Sequence, residues 1–200
     1  MATTNARAGG RVAKSMEMYE RLLELIPGGT QLISRRPTRF ALGVSPVVAT
    51  RGKGSRIWNV DGNEYIDWVS AIGSVILGYC DPVVDEAVKA QIDRGTNFSI
   101  THELELELAE LLVERIPCAE MVRYARGGGD ACAVAVRIAR GSTGRDKILF
   151  CGYHGWHDWY QAANLSSDEN LDEPLFAGIE PIGVPTALAC TALPFPYGSL

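Results

Sequence analysis

The chain has 200 residues, carries 19 Lys plus Arg against 24 Asp plus Glu for a formal charge of −5, and is 46% hydrophobic. This is ordinary globular composition, and a chain of this length buries roughly 70% of its unfolded surface without a disulfide or metal staple. An acidic balance without Lys/Arg blocks lacks the footprint that binds a phosphate backbone or an anionic bilayer, which argues against nucleic acid and membrane as partners.

Residues 1–13 read as a disordered start, polar and basic with no apolar h-region, so the protein is expected in the cytoplasm. Lys14 to Ile26 places Met18, Leu22, Leu25 and Ile26 at helical spacing and stops at Pro27-Gly28-Gly29, which predicts an amphipathic helix. Val47 to Arg51, Arg56 to Val60 and Glu64 to Trp68 are short β-rich pieces separated by Gly52-Lys53-Gly54 and Asp61-Gly62-Asn63, the pattern of an antiparallel meander. Val69 to Cys80 is the most apolar stretch, too short and glycine-broken to span a bilayer. Asp81 as N-cap and Pro82 as first helical residue open a helix to about Ile92.

Glu and Leu alternate from Glu103 to Leu108 as in a strand, yet these residues are strong helix formers, the run continues without a turn, and Leu104, Leu108, Leu111 and Leu112 share one helical face. His102 to Ile116 is therefore read as helix. After Pro117 a strand (Met121 to Arg126), a triple glycine, a helix (Asp130 to Arg140, closing at Gly141 and Gly144) and a strand (Lys147 to Cys151) form a β-turn-α-β unit of a parallel sheet. From Asn164 on, Pro174, Pro181, Pro185, Pro194 and Pro196 break every period, predicting a long irregular excursion.

Two segments could carry chemistry. Tyr124-Ala125-Arg126-Gly127-Gly128-Gly129-Asp130-Ala131 lies between a predicted strand and helix, where glycines admit a ligand to the backbone and the helix amides favour a phosphate. Alone, it reads equally well as an unliganded tight turn; its spacing fits neither the dinucleotide fingerprint nor the P-loop. Cys151-Gly152-Tyr153-His154-Gly155-Trp156-His157-Asp158-Trp159-Tyr160 follows the next strand and offers a flat aromatic surface to a planar cofactor. The alternative for this segment is that Trp156 and Trp159 are core anchors on one face, which is compatible with Tyr153 still facing a ligand. Cys151, His154 and His157 are spaced as metal ligands could be, but Gly155 interrupts them and a fourth ligand is not evident. The five cysteines, Cys80, Cys118, Cys132, Cys151 and Cys190, lack a C-x-x-C pair and read as reduced, mostly buried thiols.

Taken together, Arg51-Gly52-Lys53-Gly54, Trp58 to Asp67, Leu77-Gly78-Tyr79, Gly128 to Ala131, Arg137-Ile138-Ala139-Arg140, Thr143 to Ile148 and Gly152-Tyr153-His154-Gly155 resemble, in order, class III pyridoxal-phosphate aminotransferases. Pro27-Gly28-Gly29-Thr30 makes the glutamate-1-semialdehyde aminomutase-like branch the nearest in appearance. The resemblance spans about Met18 to Tyr160 and implies an α/β chain of fold type I, with residues 14–70 as the N-terminal segment of the small domain and 71–200 as the first part of the large cofactor-binding domain with its mostly parallel sheet, active as a homodimer on a small amino donor and acceptor with pyridoxal 5′-phosphate as cofactor.

Carried over by residue, the amides of Gly128 and Gly129 would hold the phosphate, Tyr153 would stack on the pyridine ring with His154 beside it, and Asp130 would match an acidic family position. Arg35 or Arg36 would receive a substrate carboxylate. Three departures stand against the pattern. The family usually has a polar residue at Gly127 and a hydroxyl residue at Gly129, and each lost phosphate hydrogen bond would cost about 1–3 kcal/mol of cofactor binding. None of Lys14, Lys53, Lys89 and Lys147 lies in the family's Schiff-base motif, so that lysine is expected after Leu200, leaving this piece inactive by itself. A non-catalytic phosphate- or nucleotide-binding α/β module, or an inactive remnant of the aminotransferase fold, is the alternative.

Overall fold

Helix α1 (Ala13–Leu25) begins at Val12 with no side-chain cap, and its first turn is completed by a carboxylate from far along the chain. Asp61 accepts from the amides of Lys14 at 2.7 Å and Ser15 at 3.1 Å and from the Ser15 hydroxyl. A computed structural model describes residues 10–165 and 180–198 in two compact units, Met1–Ile100 and Thr101–Leu200.

In the first unit Asp61 sits in the turn between strands β2 (Arg56–Asn59) and β3 (Glu64–Ile66), which with β1 (Ala49–Lys53) form an antiparallel sheet of order β1-β2-β3. Asn59, almost wholly buried, donates to Asp61 and accepts from the Asn63 amide, while the Asn63 side chain donates to the Arg11 carbonyl at 2.7 Å. This polar knot ties α1 to the meander around buried Val12, Ser15 and Tyr19. The expected meander is present with slightly shifted strand ends. The disordered start lies outside the described residues up to residue 9, but Val12 is buried and Ala13 already helical.

Between β3 and α2 (Pro82–Arg94), Ser70, Ala71 and Ile72 have φ of 47°, 48° and 60°, a left-handed turn that disfavours side chains and a β-branched one most. Neighbours over-determine it: Asp67 accepts from the Val69 amide and the Tyr79 hydroxyl, and the Ser74 hydroxyl donates to the Ala71 carbonyl. The Tyr79 hydroxyl bond to Asp67, with burial and the Asp67 charge, raises the phenol pKa. At the start of α2, Asp81 accepts from Val83 and Val84 amides and Pro82 is the first helical residue, as the sequence predicts.

In the second unit α3 (Glu103–Arg115) confirms the helical reading of the Glu-Leu run. His102 accepts from the helix while Glu105 accepts from the His102 amide, a reciprocal capping box. Its leucine face remains about half exposed. The predicted strand at Met121 to Arg126 is not formed: no described strand pairs with it, and Met121 is 91% exposed. Helix α4 runs Gly128–Thr143 and closes on left-handed Gly144. Strand β4 (Ile148–Phe150) instead pairs in parallel with β5 (Ala192–Pro194), a strand hidden from sequence reading by its prolines. Pro194 ends β5, where its missing N–H is not needed and Phe195 resumes bonding to the Phe150 carbonyl. The core gathers Phe150, Trp159 and Tyr160 of the short helix α5 (Asp158–Gln161), and Ala162, Ala163 and Ala192. Much of the expected excursion, residues 166–179, lies outside the described residues. Cys80, Cys118 and Cys190 are exposed, contrary to a mostly buried set, since loops and helix ends rather than the core carry them.

Burial would raise the Asp61 carboxyl, but hydrogen bonds from Ser15 and Lys14 and the Lys14 charge outweigh it and hold its pKa below the usual value. A carboxyl depressed in the folded state contributes stability above its unfolded pKa and loses it as pH falls through the folded one. Attachment of α1 should therefore weaken below about pH 4. Asp61→Asn should remove that acid dependence and loosen α1 at neutral pH. Limited proteolysis of α1 across pH 2–7 checks both expectations, and an unchanged acid profile in the variant would contradict them.

Candidate functional site

The sequence places three glycines where α4 begins, and the structure uses them differently. Gly127 is the extended N-cap and contributes no side chain, while Gly128 and Gly129 form the first turn. The amides of Gly128, Gly129 and Asp130 meet no acceptor among the described residues. A Cβ added at Gly127 or Gly128 would meet nothing within 4 Å, so the ground before these amides is open. At Gly129 the situation is reversed: a Cβ would lie 3.0 Å from the His157 ring, and one at Gly155 would fall 2.8 Å from the Gly129 Cα. Backbone meets backbone here, and the loop after β4 is drawn against the first turn of α4.

That loop carries Tyr153, whose ring is 51% exposed and meets Tyr160 edge-to-face at 5.6 Å. Tyr160 is buried, and burial, then the neighbouring Tyr153, pushes its phenol pKa up to about 12. His154 turns inward among Phe150, Trp159 and Tyr160. Its Nε2 lies 2.6 Å from the Cys151 carbonyl. A carbonyl only accepts, so Nε2 carries the hydrogen, and Nδ1 faces the Cys132 sulfur at 4.0 Å. His157 faces the opposite way, its Nε2 3.4 Å from Asp130 Oδ1, both groups about half exposed. A cleft of about 1060 Å³ runs along this side of α4, lined by Gly129, Ala133, Arg137, Arg140, Trp156 and His157. Arg140 secures the far end of the helix through the Asp146 carbonyl at 2.8 Å and the Thr191 carbonyl at 3.4 Å.

The structure thus brings Gly128, Gly129, Asp130, Tyr153 and His154 into one unit. Arg35 and Arg36 belong to the other unit, where Arg35 acts electrostatically on Tyr79 and a Cβ on Gly28 would lie 3.0 Å from Arg36 Nε. Trp156 is not a core anchor: it is 69% exposed on the cleft, because Gly155, with φ of 104°, turns the chain between it and buried Trp159. Sequence reasoning missed the pairing of Gly155 and His157 with Gly129. A glycine and a histidine two apart in an aromatic loop were its only local trace.

Free amides at the start of a 16-residue helix, with glycine where a side chain would intrude, suit an anion such as a phosphate monoester. An exposed tyrosine on the loop pressed to that turn can cover a planar ring. With that geometry in hand, comparison with known proteins is decisive. Residues 40–173 match the model of the aminotransferase class-III family. The chain belongs to the class-III aminotransferases. It is 47% identical over 150 residues to the 3-aminobutyryl-CoA aminotransferase of Cloacimonas acidaminovorans, covering 74% of this chain and 36% of that protein. It is 41% identical over 191 residues to a glutamate-1-semialdehyde 2,1-aminomutase of Exiguobacterium, covering 94% and 42%. Its fold matches an omega-transaminase from Sphaerobacter thermophilus with a TM-score of 0.75 at 31% identity, over 98% of this chain and 44% of that one. A transaminase with PLP bound matches at 0.77 and 30%, over 93% and 42%. The fold is therefore the α/β, fold type I transferase that the motifs imply. This class-III chain spans less than half the length of each of these relatives.

The glycine contact generates a graded prediction. Gly155→Ala combines a left-handed backbone with a clash on the α4 backbone and should cost about 3 kcal/mol or more. Gly152→Ala has φ of 81° but open space around it, and should cost only about 1–2 kcal/mol. Denaturant unfolding of both variants measures the order; equal costs would contradict the contact.

Proposed function

We propose that this chain contributes to a pyridoxal-phosphate-dependent enzyme that transfers or exchanges an amino group on a small amino or oxo substrate, with the N-terminus of α4 as its phosphate cradle. The observation that carries the reading is the set of unpartnered amides at Gly128, Gly129 and Asp130 beside the Tyr153 loop, in a chain of this family. When bound, pyridoxal phosphate supplies an aldehyde to take up the amino group and a ring that withdraws electrons from the bond being broken. The chain's residues bind and orient. Gly128 and Gly129 donate their amides to the phosphate, and Tyr153 lies against the ring. His154, fixed by the Cys151 carbonyl and the aromatic cluster, sets the path of the chain beneath Tyr153. Arg35 or Arg36 is the proposed partner of a substrate carboxylate. A cytoplasmic homodimer belongs to the same reading, and its assembly is supported by large apolar side chains left open, Trp68 at 89% and Ile76 at 83% among them.

The Schiff-base lysine is proposed to be none of the four in this chain. Lys147 shares a unit with Tyr153 but precedes β4, whereas Tyr153 follows it. The three residues of β4 alone span about 10 Å between them. Borohydride trapping with pyridoxal phosphate and peptide mapping should find no stoichiometric single-lysine label and no turnover by residues 1–200.

Gly128→Val should be tolerated by the fold, since a Cβ there meets open space. It should nevertheless weaken cofactor binding at least about tenfold by covering the amides. Tyr153→Ala should lose roughly 1–3 kcal/mol of cofactor affinity, on the scale of aromatic–base stacking, and Tyr153→Phe much less. Fluorescence titration with pyridoxal phosphate reads both. Undiminished binding by Gly128→Val would remove the cradle, and equal binding of unrelated phosphate monoesters would favour a non-catalytic phosphate-binding module.

A further inference from the structure

The feature that this reading leaves unused is His157. In a helix each Cα–Cβ bond leans toward the N-terminus, so a side chain at the second helical position reaches past the first turn, toward whatever the free amides hold. Gly129 occupies that position and has no side chain. The space is filled from another direction: the Nε2 and Cδ2 atoms of His157 stand 3.0 Å from the point where the Gly129 Cβ would be. The same Nε2 lies 3.4 Å from Asp130 Oδ1. At 3.4 Å this is proximity rather than a formed hydrogen bond, so a hydrogen on Nε2 is not committed to Asp130. Asp130 also poses an electrostatic problem, because a carboxylate in the first turn repels an anion that the helix amides attract. An imidazole donor close to both that carboxylate and Gly129 would answer it.

We propose that His157 is a phosphate-holding residue of this site: its imidazole takes the place of the absent side chain at Gly129, stands beside Asp130, and donates Nε2–H to a phosphate monoester resting on the amides of Gly128 and Gly129. The inference rests on the cradle reading given above. The contact between Gly129 and Gly155 holds the ring there, since it fixes the loop two residues before His157 on the α4 backbone.

Pyridoxine 5′-phosphate and pyridoxine test it, because they differ only by the phosphate and neither has an aldehyde to react with lysines. Dissociation constants are measured by fluorescence for the unaltered chain, His157→Ala and His157→Gln, with thermal unfolding of each alongside. The expected result is that His157→Ala weakens pyridoxine 5′-phosphate about tenfold while leaving pyridoxine unchanged, the loss of one hydrogen bond to a charged group. His157→Gln, which keeps a donor, should recover most of the loss. Equal affinities of His157→Ala and the unaltered chain for the phosphorylated ligand, or equal losses for both ligands, would overturn the role of His157. An unaltered chain that does not prefer the phosphorylated ligand would instead overturn the cradle itself.

Discussion

The second unit depends on the close approach of Gly129 and Gly155. A Cβ on Gly155 would fall 2.8 Å from the Gly129 Cα, so the two backbones touch only because Gly155 is glycine, while a Cβ on Gly129 would press on the His157 ring at 3.0 Å. The contact joins the first turn of α4 to the loop that leaves β4. The junction puts the open amides of the first turn, the loop that carries Tyr153, and the His157 ring against Gly129 in one place. Arg140 fixes the distal end of the same helix to the residues that lead into the two parallel strands, Asp146 before β4 and Thr191 before β5, so α4 is held at both ends.

The triple glycine is therefore three devices. Gly127 ends the approach to the helix in extended conformation, Gly128 leaves the amides uncovered, and Gly129 admits a neighbouring backbone and ring. Viewed as departures from a family pattern, Gly127 and Gly129 subtract phosphate contacts. The geometry assigns at least the volume at Gly129 to His157. The first unit solves the end of a helix in the opposite way: α1 lacks a local cap and borrows a carboxylate from the Asp61 turn, joining helix and meander. One helix end is thus covered by its own protein and the other left open, and only the open one lies beside an aromatic loop.

Local chemistry was legible in the sequence where neighbouring residues supply it. Asp81-Pro82 marks a helix start because both the cap and the fixed φ act within three residues, and the Glu-Leu run declares itself through helix-forming residues and His102. The glycines before Asp130 and the aromatics around Tyr153 were legible as separate segments for the same reason. What escaped was pairing at a distance. Met121 to Arg126 has the composition of a strand, but a strand exists only with a partner, and the described partner of β4 is a proline-bounded segment some forty residues later. His154 and His157 look alike in sequence, yet one is drawn into the core by the Cys151 carbonyl and the other out to Asp130. Residue types alone could not separate them, because the difference lies in which way Gly155 turns the chain.

Amide-resolved NMR shows whether the open amides of α4 receive a phosphate. On titration of the ¹⁵N-labelled chain with pyridoxine 5′-phosphate, the amide signals of Gly128, Gly129 and Asp130 should move together and saturably, and pyridoxine at the same concentration should leave them in place. Saturable shifts confined to other residues, or equal shifts with both ligands, would contradict the account.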